Sequence, residues 1–163
     1  ELKNLVNIKK KKNINFVSVL VNPDQNILNE IKKLNFDYLQ LYDVSPEKTR
    51  IIKDQLNIKI ITALTINNLN DINKYKIYKD FSEIILFDSK GYEKSYSFNH
   101  NLLVNVPDDI NRMLAGNIKY NENLDKYHKI TDIIDISGSL ETQGEKDISK
   151  INFFLKKISK LKL

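Results

Sequence analysis

The chain has 163 residues, 41% of them hydrophobic and 29% charged, with a net charge of +5, four Gly and no Cys. That length and balance suit one globular domain with a core of its own, and no apolar run nears the roughly 18 residues that a membrane helix needs. Without Cys there is neither a disulfide framework nor a thiolate metal site. With no continuous apolar N-terminal stretch to mark a signal peptide, a cytoplasmic protein is expected.

Leu2, Leu5 and Ile8 fall on one helical face, with no capping residue before them. The chain is therefore expected to begin inside a helix. Lys9 to Lys12 reads as the solvated end of that helix rather than as a nucleic-acid patch. Residues 14–21 are short and rich in β-branched side chains, the pattern of a buried strand. Pro23 and Asp24 then suit a helix start, with Ile27, Leu28, Ile31 and Leu34 as its apolar face. Residues 36–41 read as a strand. Ser45 and Pro46 open a second helix, Ser as N-cap and Pro in the first turn. Residues 58–64 are a strand, 67–78 a helix and 83–88 a strand. A polar loop follows, 89–97, and then a short helix at 98–103. Residues 110–115 are a strand, 120–127 a helix, 132–136 a strand and 148–161 the last helix.

The rhythm is one helix and then six βα units, the spacing of parallel strands with helical crossovers. Two architectures fit it: a doubly wound open sheet, or part of a (β/α)8 barrel. The Gly-rich fingerprint of a dinucleotide fold is absent after the first strand. Three of the four Gly, namely Gly116, Gly138 and Gly144, lie in the last two strand-to-helix loops. Ser137-Gly138-Ser139 ends its strand abruptly in small residues that expose backbone N–H groups, a pattern suited to anions. Met113-Leu-Ala-Gly-Asn117 repeats the idea one strand earlier. Phosphate-binding barrels hold their phosphate after strands 7 and 8. On that count the chain contains strands 3 to 8 with their helices. It is then one partial barrel over residues 1–163, and two βα units are missing upstream.

The series Val21-Asn-Pro-Asp24, Asp37-Tyr-Leu-Gln-Leu41, Leu86-Phe-Asp-Ser89, Leu114-Ala-Gly-Asn117, Asp135-Ile-Ser-Gly-Ser-Leu-Glu141 and Gly144-Glu-Lys-Asp147 resembles the phosphoribosylanthranilate isomerases. These are (β/α)8 enzymes of tryptophan biosynthesis. The resemblance implies an Amadori rearrangement of N-(5-phosphoribosyl)anthranilate to the 1-deoxyribulose 5-phosphate isomer. An acid protonates the ribose ring oxygen, the ring opens to a Schiff base, and a base removes the C2 proton. No metal or redox cofactor is implied. The partner is a small phosphorylated substrate, not nucleic acid or membrane, and the protein is a monomer or homodimer.

By the same resemblance Asp88 is the general acid, at a strand end where partial burial favours the protonated form. Gly116, Asn117, Ser137, Gly138 and Ser139 match the phosphate loops. Asp135 and Gln40 match polar positions lining the site. The family's base is a Cys in a Lys-Ile-Cys-Gly strand, which this chain lacks. A chain of only these residues is therefore expected not to turn over substrate. Tyr42-Asp43 stands where the family commonly has His-Gly, Asn117 where it has Gly, and Gly138-Ser139 inverts its order. Gly91 stands alone in a loop that is usually Gly-rich. Each change makes the backbone less permissive. His100 and His128 are read as surface residues. Alternative readings are another phosphate-binding barrel of the same pathway, a non-catalytic barrel scaffold, and a nucleic-acid-associated α/β protein.

Overall fold

The computed structural model describes residues 14–89 and 98–160. The expected opening helix, the Lys9 to Lys12 run and the Gly91 loop lie outside the described residues. The chain divides into two compact units, Glu1–Leu64 with Lys74–Ile85, and Thr65–Asn73 with Leu86–Leu163.

In the first unit β1 (Val17–Val21), β2 (Tyr38–Tyr42) and β3 (Lys59–Ile66) follow one another in parallel, and β4 (Ile84–Ser89) begins beside β3. Helix α1 (Gln25–Lys32) starts where Asp24 Oδ1 accepts from Ile27 N at 2.8 Å, so the cap satisfies one orphan donor of the first turn. Helix α2 (Pro46–Leu56) starts where Ser45 Oγ accepts from Lys48 N, with Pro46 in its first turn. It ends at Asn57, whose left-handed backbone closes the helix as Gly more commonly does. Leu28, Leu39, Leu41, Val44, Ile52 and Ile60 form the core between these helices and strands. Strand β1 departs from the expected coverage on both faces. Val17, Val19 and Val21 share one face and are 36%, 58% and 51% exposed, while Ser18 and Leu20 on the other face are partly buried.

Glu83 locks the bottom of β4 to its neighbours. Its carboxylate accepts from Lys53 Nζ and from Ile60 N, both at 2.6 Å. Burial pushes its pKa up, but the bonds from Lys53 and Ile60 outweigh burial, and the net direction is down. A carboxylate held below its unfolded pKa stabilises the fold above that unfolded value, and the stabilisation is lost as pH falls through the folded value. Glu83→Gln is therefore expected to destabilise at neutral pH by about 1 kcal/mol. Urea melts of the two proteins should converge once the pH drops below the carboxylate range. A gap that persists there contradicts the assignment.

In the second unit the rest of β4, β5 (Arg112–Leu114) and β6 (Ile133–Ile134) lie in order, with β5 and β6 parallel. Helix α3 (Leu69–Ile72) is a single turn with a full capping box between Asn68 and Asp71. The strands here are short, and side chains reinforce them. Arg112, 5% exposed, donates from Nε to Asp132 Oδ2 at 3.2 Å, while the same carboxylate accepts Arg112 N at 2.9 Å. Thr131 Oγ1 adds a bond to Arg112 O at 2.8 Å. The last helix, α4 (Ile148–Ile158), is capped by Asp147 Oδ1, which accepts from Ser149 N and Lys150 N.

The expectation of strands 3 to 8 alone, each with its helix, is corrected on two counts. Eight strands are described rather than six, because β7 (Glu141–Thr142) and β8 (Glu145–Lys146) form an antiparallel hairpin. Its two-residue turn, Gln143-Gly144, has positive φ at both positions, the geometry that suits the twist of a hairpin. The helices expected at 98–103 and 120–127 are 3-10 turns, His100–Asn105 and Asp125–Tyr127. Asn and Asp fill both stretches, and their side chains bond local backbone N–H groups instead of supporting an α-helix. Asn99 Oδ1 accepts Asn101 N, and Asn123 Oδ1 accepts Asp125 N.

Candidate active site

Most of the candidate residues gather in the second unit, at the C-terminal ends of β4, β5 and β6. Asp88 is the penultimate residue of β4 and is half-buried. Its Oδ1 accepts from Ser89 N at 2.7 Å. Asp135 follows β6 directly, and its N–H donates to Leu114 O at 2.8 Å. The two carboxylates interact. Burial raises the pKa of Asp135 most, the charge of Asp88 raises it further, and Lys146 opposes both. Burial and a like charge both favour the protonated form of Asp135.

The turn after β5 is built around Gly116. Its φ is +94°, and a Cβ added there would stand 2.5 Å from Ser89 Oγ and 3.0 Å from Ser89 N. Only Gly fits so close to the end of β4. Asn117 follows at φ +56°, left-handed backbone that Asn tolerates better than most residues. Asp43 does the same at φ +53°. These two departures from Gly therefore fall to residue types that hold the left-handed conformation.

The turn after β6 is Ser137, then a 3-10 turn over Gly138–Leu140. The N–H groups of Gly138 and Ser139 open that turn and have no partner within it. Gly138 has open space around its missing Cβ, so its role is not steric. Ser139 Oγ accepts from Tyr120 N at 2.6 Å, which ties this turn to the chain leaving Gly116-Asn117. Lys146 donates from Nζ to Ser137 O at 3.1 Å, to Ser137 Oγ at 2.9 Å and to Glu141 Oε1 at 2.5 Å. The β7–β8 hairpin thus delivers a positive charge to the Ser137 turn. Lys146 lies within the Gly144-Glu-Lys-Asp147 motif, but only the hairpin brings it to Ser137.

Gln40 belongs to the other unit. It sits mid-strand in β2, 6% exposed, and its Nε2 donates to Tyr42 Oη at 3.3 Å. His128 is exposed as expected, whereas His100 is half-buried. Its ring packs edge-on against Phe98 at 4.8 Å and tilted against Tyr127 at 5.5 Å. Burial lowers its pKa first and the charge of Lys126 lowers it further, against a bond to the Gly116 backbone and the charge of Glu122. Periodicity could not find it, because the segment is a 3-10 turn and not a helix with a solvent face. Among the described residues no cluster of three His, Asp or Glu could hold a metal. No described helix is long and apolar enough to cross a membrane.

A family model described as PRAI: N-(5'phosphoribosyl)anthranilate (PRA) isomerase matches residues 2–157. The chain belongs to this isomerase family. The N-(5'-phosphoribosyl)anthranilate isomerase of Brucella canis is 33% identical over 150 residues, covering 85% of this chain and 68% of the relative. Among solved structures, phosphoribosyl anthranilate isomerase from Thermotoga maritima superposes with a TM-score of 0.81 at 22% identity, over 99% of this chain and 82% of that one. A second, an isomerase in complex with reduced 1-(o-carboxyphenylamino)-1-deoxyribulose 5-phosphate, gives a TM-score of 0.78 at 21% identity, over 99% and 80%. At those identities the superpositions show a shared fold. The family match carries the activity: an isomerase performing the Amadori rearrangement in tryptophan biosynthesis.

Proposed function

We propose that Asp88 is the acid of this isomerase and that the Gly116-Asn117 and Ser137-Gly138-Ser139 turns hold the substrate's phosphate. The observation that carries the reading is that Asp88 and Asp135 stand at the ends of β4 and β6, beside two turns joined by the Tyr120–Ser139 bond. As the acid, Asp88 gives a proton to the ribose ring oxygen as the C1–O bond breaks. Asp135 lines the site and orients a sugar hydroxyl.

The phosphate turns contribute backbone N–H donors, with Ser137 and Ser139 adding hydroxyls. Lys146, ion-paired to Glu141, fixes the Ser137 carbonyl and hydroxyl by hydrogen bonds. A dianion bound there leaves the carboxylate pair free to act at the other end of the sugar, so binding and chemistry occupy separate groups. The isomerase of known structure that carries a reduced 1-deoxyribulose 5-phosphate analogue supports a small phosphorylated substrate here.

Ribose 5-phosphate is the probe that tests the anchor. Its addition is expected to shift the amide resonances of Gly116, Asn117, Gly138 and Ser139, while ribose leaves them in place. Equal shifts with both sugars, or shifts elsewhere, contradict the assignment.

A further inference from the structure

Lys146 stands directly across the β7–β8 hairpin from Glu141, its partner in register. The hairpin is itself pinned. Lys150 Nζ donates to Glu141 O, Asp147 N donates to Leu140 O at 2.8 Å, and Thr142 Oγ1 donates to Asp147 Oδ2 at 2.7 Å. The register therefore fixes where the Lys146 ammonium can reach. An ammonium has three N–H donors and no acceptor. All three are in use, on Ser137 O at 3.1 Å, Ser137 Oγ at 2.9 Å and Glu141 Oε1 at 2.5 Å. No hydrogen of Lys146 is left for a ligand, and Glu141 offsets its charge. Lys146 acts on a bound anion through Ser137.

The hydroxyls on either side of Gly138 share one arrangement. Ser137 Oγ accepts from Lys146 Nζ, and Ser139 Oγ accepts from Tyr120 N at 2.6 Å. A hydroxyl carries one hydrogen and two lone pairs. In each serine a lone pair is held by a group that cannot accept in return, so the hydroxyl hydrogen turns toward a third atom. Among the described residues none accepts a hydrogen from either hydroxyl. Ser137 is exposed and Ser139 partly so, which leaves both hydrogens open to a ligand. A hydroxyl that already accepts from a cation is the stronger donor, because chained hydrogen bonds polarise one another.

We propose that Lys146 is a positioning residue for the anion site: by occupying a lone pair of Ser137 Oγ it commits that hydroxyl to donating to the substrate's phosphate, as the Tyr120 N–H commits Ser139. This rests on the phosphate assignment of the Ser137-Gly138-Ser139 turn. The two committed hydroxyls and the N–H groups of Gly138 and Ser139 make a set of donors with no acceptor in it, which suits the oxygens of an ionised phosphate. The direction of the Ser137 hydroxyl, not the charge of Lys146, is the part that matters.

Ribose 5-phosphate titrations of the full chain, followed at the Gly138 and Ser139 amides, test this with Lys146→Met, Ser137→Ala and the two together. Lys146→Met is expected to bind about 3- to 10-fold more weakly than wild type, the effect of one misdirected hydrogen bond. In the Ser137→Ala background the same substitution is expected to change affinity by less than about 2-fold, because the hydroxyl it acts through is gone. Unchanged affinity in Lys146→Met, or a loss as large with Ser137→Ala as without it, overturns the role of Lys146 while leaving the phosphate site intact. Lys146→Met combined with Glu141→Gln keeps the net charge of wild type and separates charge from direction. Its loss is expected to persist, and affinity restored to the wild-type value overturns the role in favour of charge alone. A wild type whose Gly138 and Ser139 amides respond no differently to ribose 5-phosphate than to ribose overturns the site itself and the role with it.

Discussion

Replacing Gly116 by Ala is expected to cost about 2–4 kcal/mol of folding stability, with a fall in Tm of about 5–15 °C. Two effects add. A φ of +94° is unfavourable for any residue with a Cβ, and the new Cβ would stand 2.8 Å from Ser89 Cβ and 3.0 Å from Ser89 N. The second contact is with backbone at the end of β4, so relief requires the strand itself to move. Two other glycines separate the effects. Gly144, at φ +83° with nothing near its missing Cβ, feels the dihedral term alone, so Gly144→Ala should cost about 1 kcal/mol. Gly138 has neither constraint, and Gly138→Ala should fall within about 0.5 kcal/mol of wild type. Thermal melts that rank the three variants in any other order contradict this account of the Gly116 turn.

The parallel βα order was legible because its signals are local. Asp24, Ser45 and Asp147 stand where helices begin, and each caps its helix. The apolar runs of β2, β3 and β4 have no polar alternation and are largely buried. The candidate site was legible because Gly and Ser concentrate at two strand ends. What was not legible depended on contacts remote in sequence or on competition between weak preferences. The β7–β8 hairpin has two-residue strands, too short for any periodicity to show. The stretches 98–103 and 120–127 held apolar residues at helical spacing, but side-chain bonds from Asn99 and Asn123 stopped them at 3-10 turns. His100 reads as an ordinary polar residue until Phe98 and Tyr127 are placed around it. Lys146 reads as a surface charge until the hairpin turns it toward Ser137. The exposed face of β1 escaped for a related reason: a strand's sequence reports its propensity, whereas its coverage depends on its neighbours.

Asp88→Asn is the variant with the largest expected effect on chemistry. Asn matches Asp in shape and can still accept the Ser89 N–H that Asp88 Oδ1 now accepts, so the end of β4 should keep its geometry. What it cannot do is give up a proton to the ring oxygen. A positioned general acid contributes about 10²- to 10⁴-fold to rate, so in a protein that also carries the family's base strand kcat should fall by that much while KM changes little. The variant also has a signature apart from turnover. Asp88 is one of the two influences that raise the pKa of Asp135. Removing its charge lessens the penalty on ionised Asp135, so a carbon-13 titration should show that carboxyl moving down toward the ordinary Asp range. Stability should be unchanged or slightly higher, since a like-charge contact is lost.

The account stands most directly on the kcat, with N-(5'-phosphoribosyl)anthranilate, of a protein that carries the family's base strand ahead of these residues, measured side by side with and without Asp88→Asn. A loss of about 10²-fold or more in the variant, at similar KM, is the predicted result. An Asp88→Asn protein that turns over within about twofold of wild type contradicts the assignment of Asp88 as the acid.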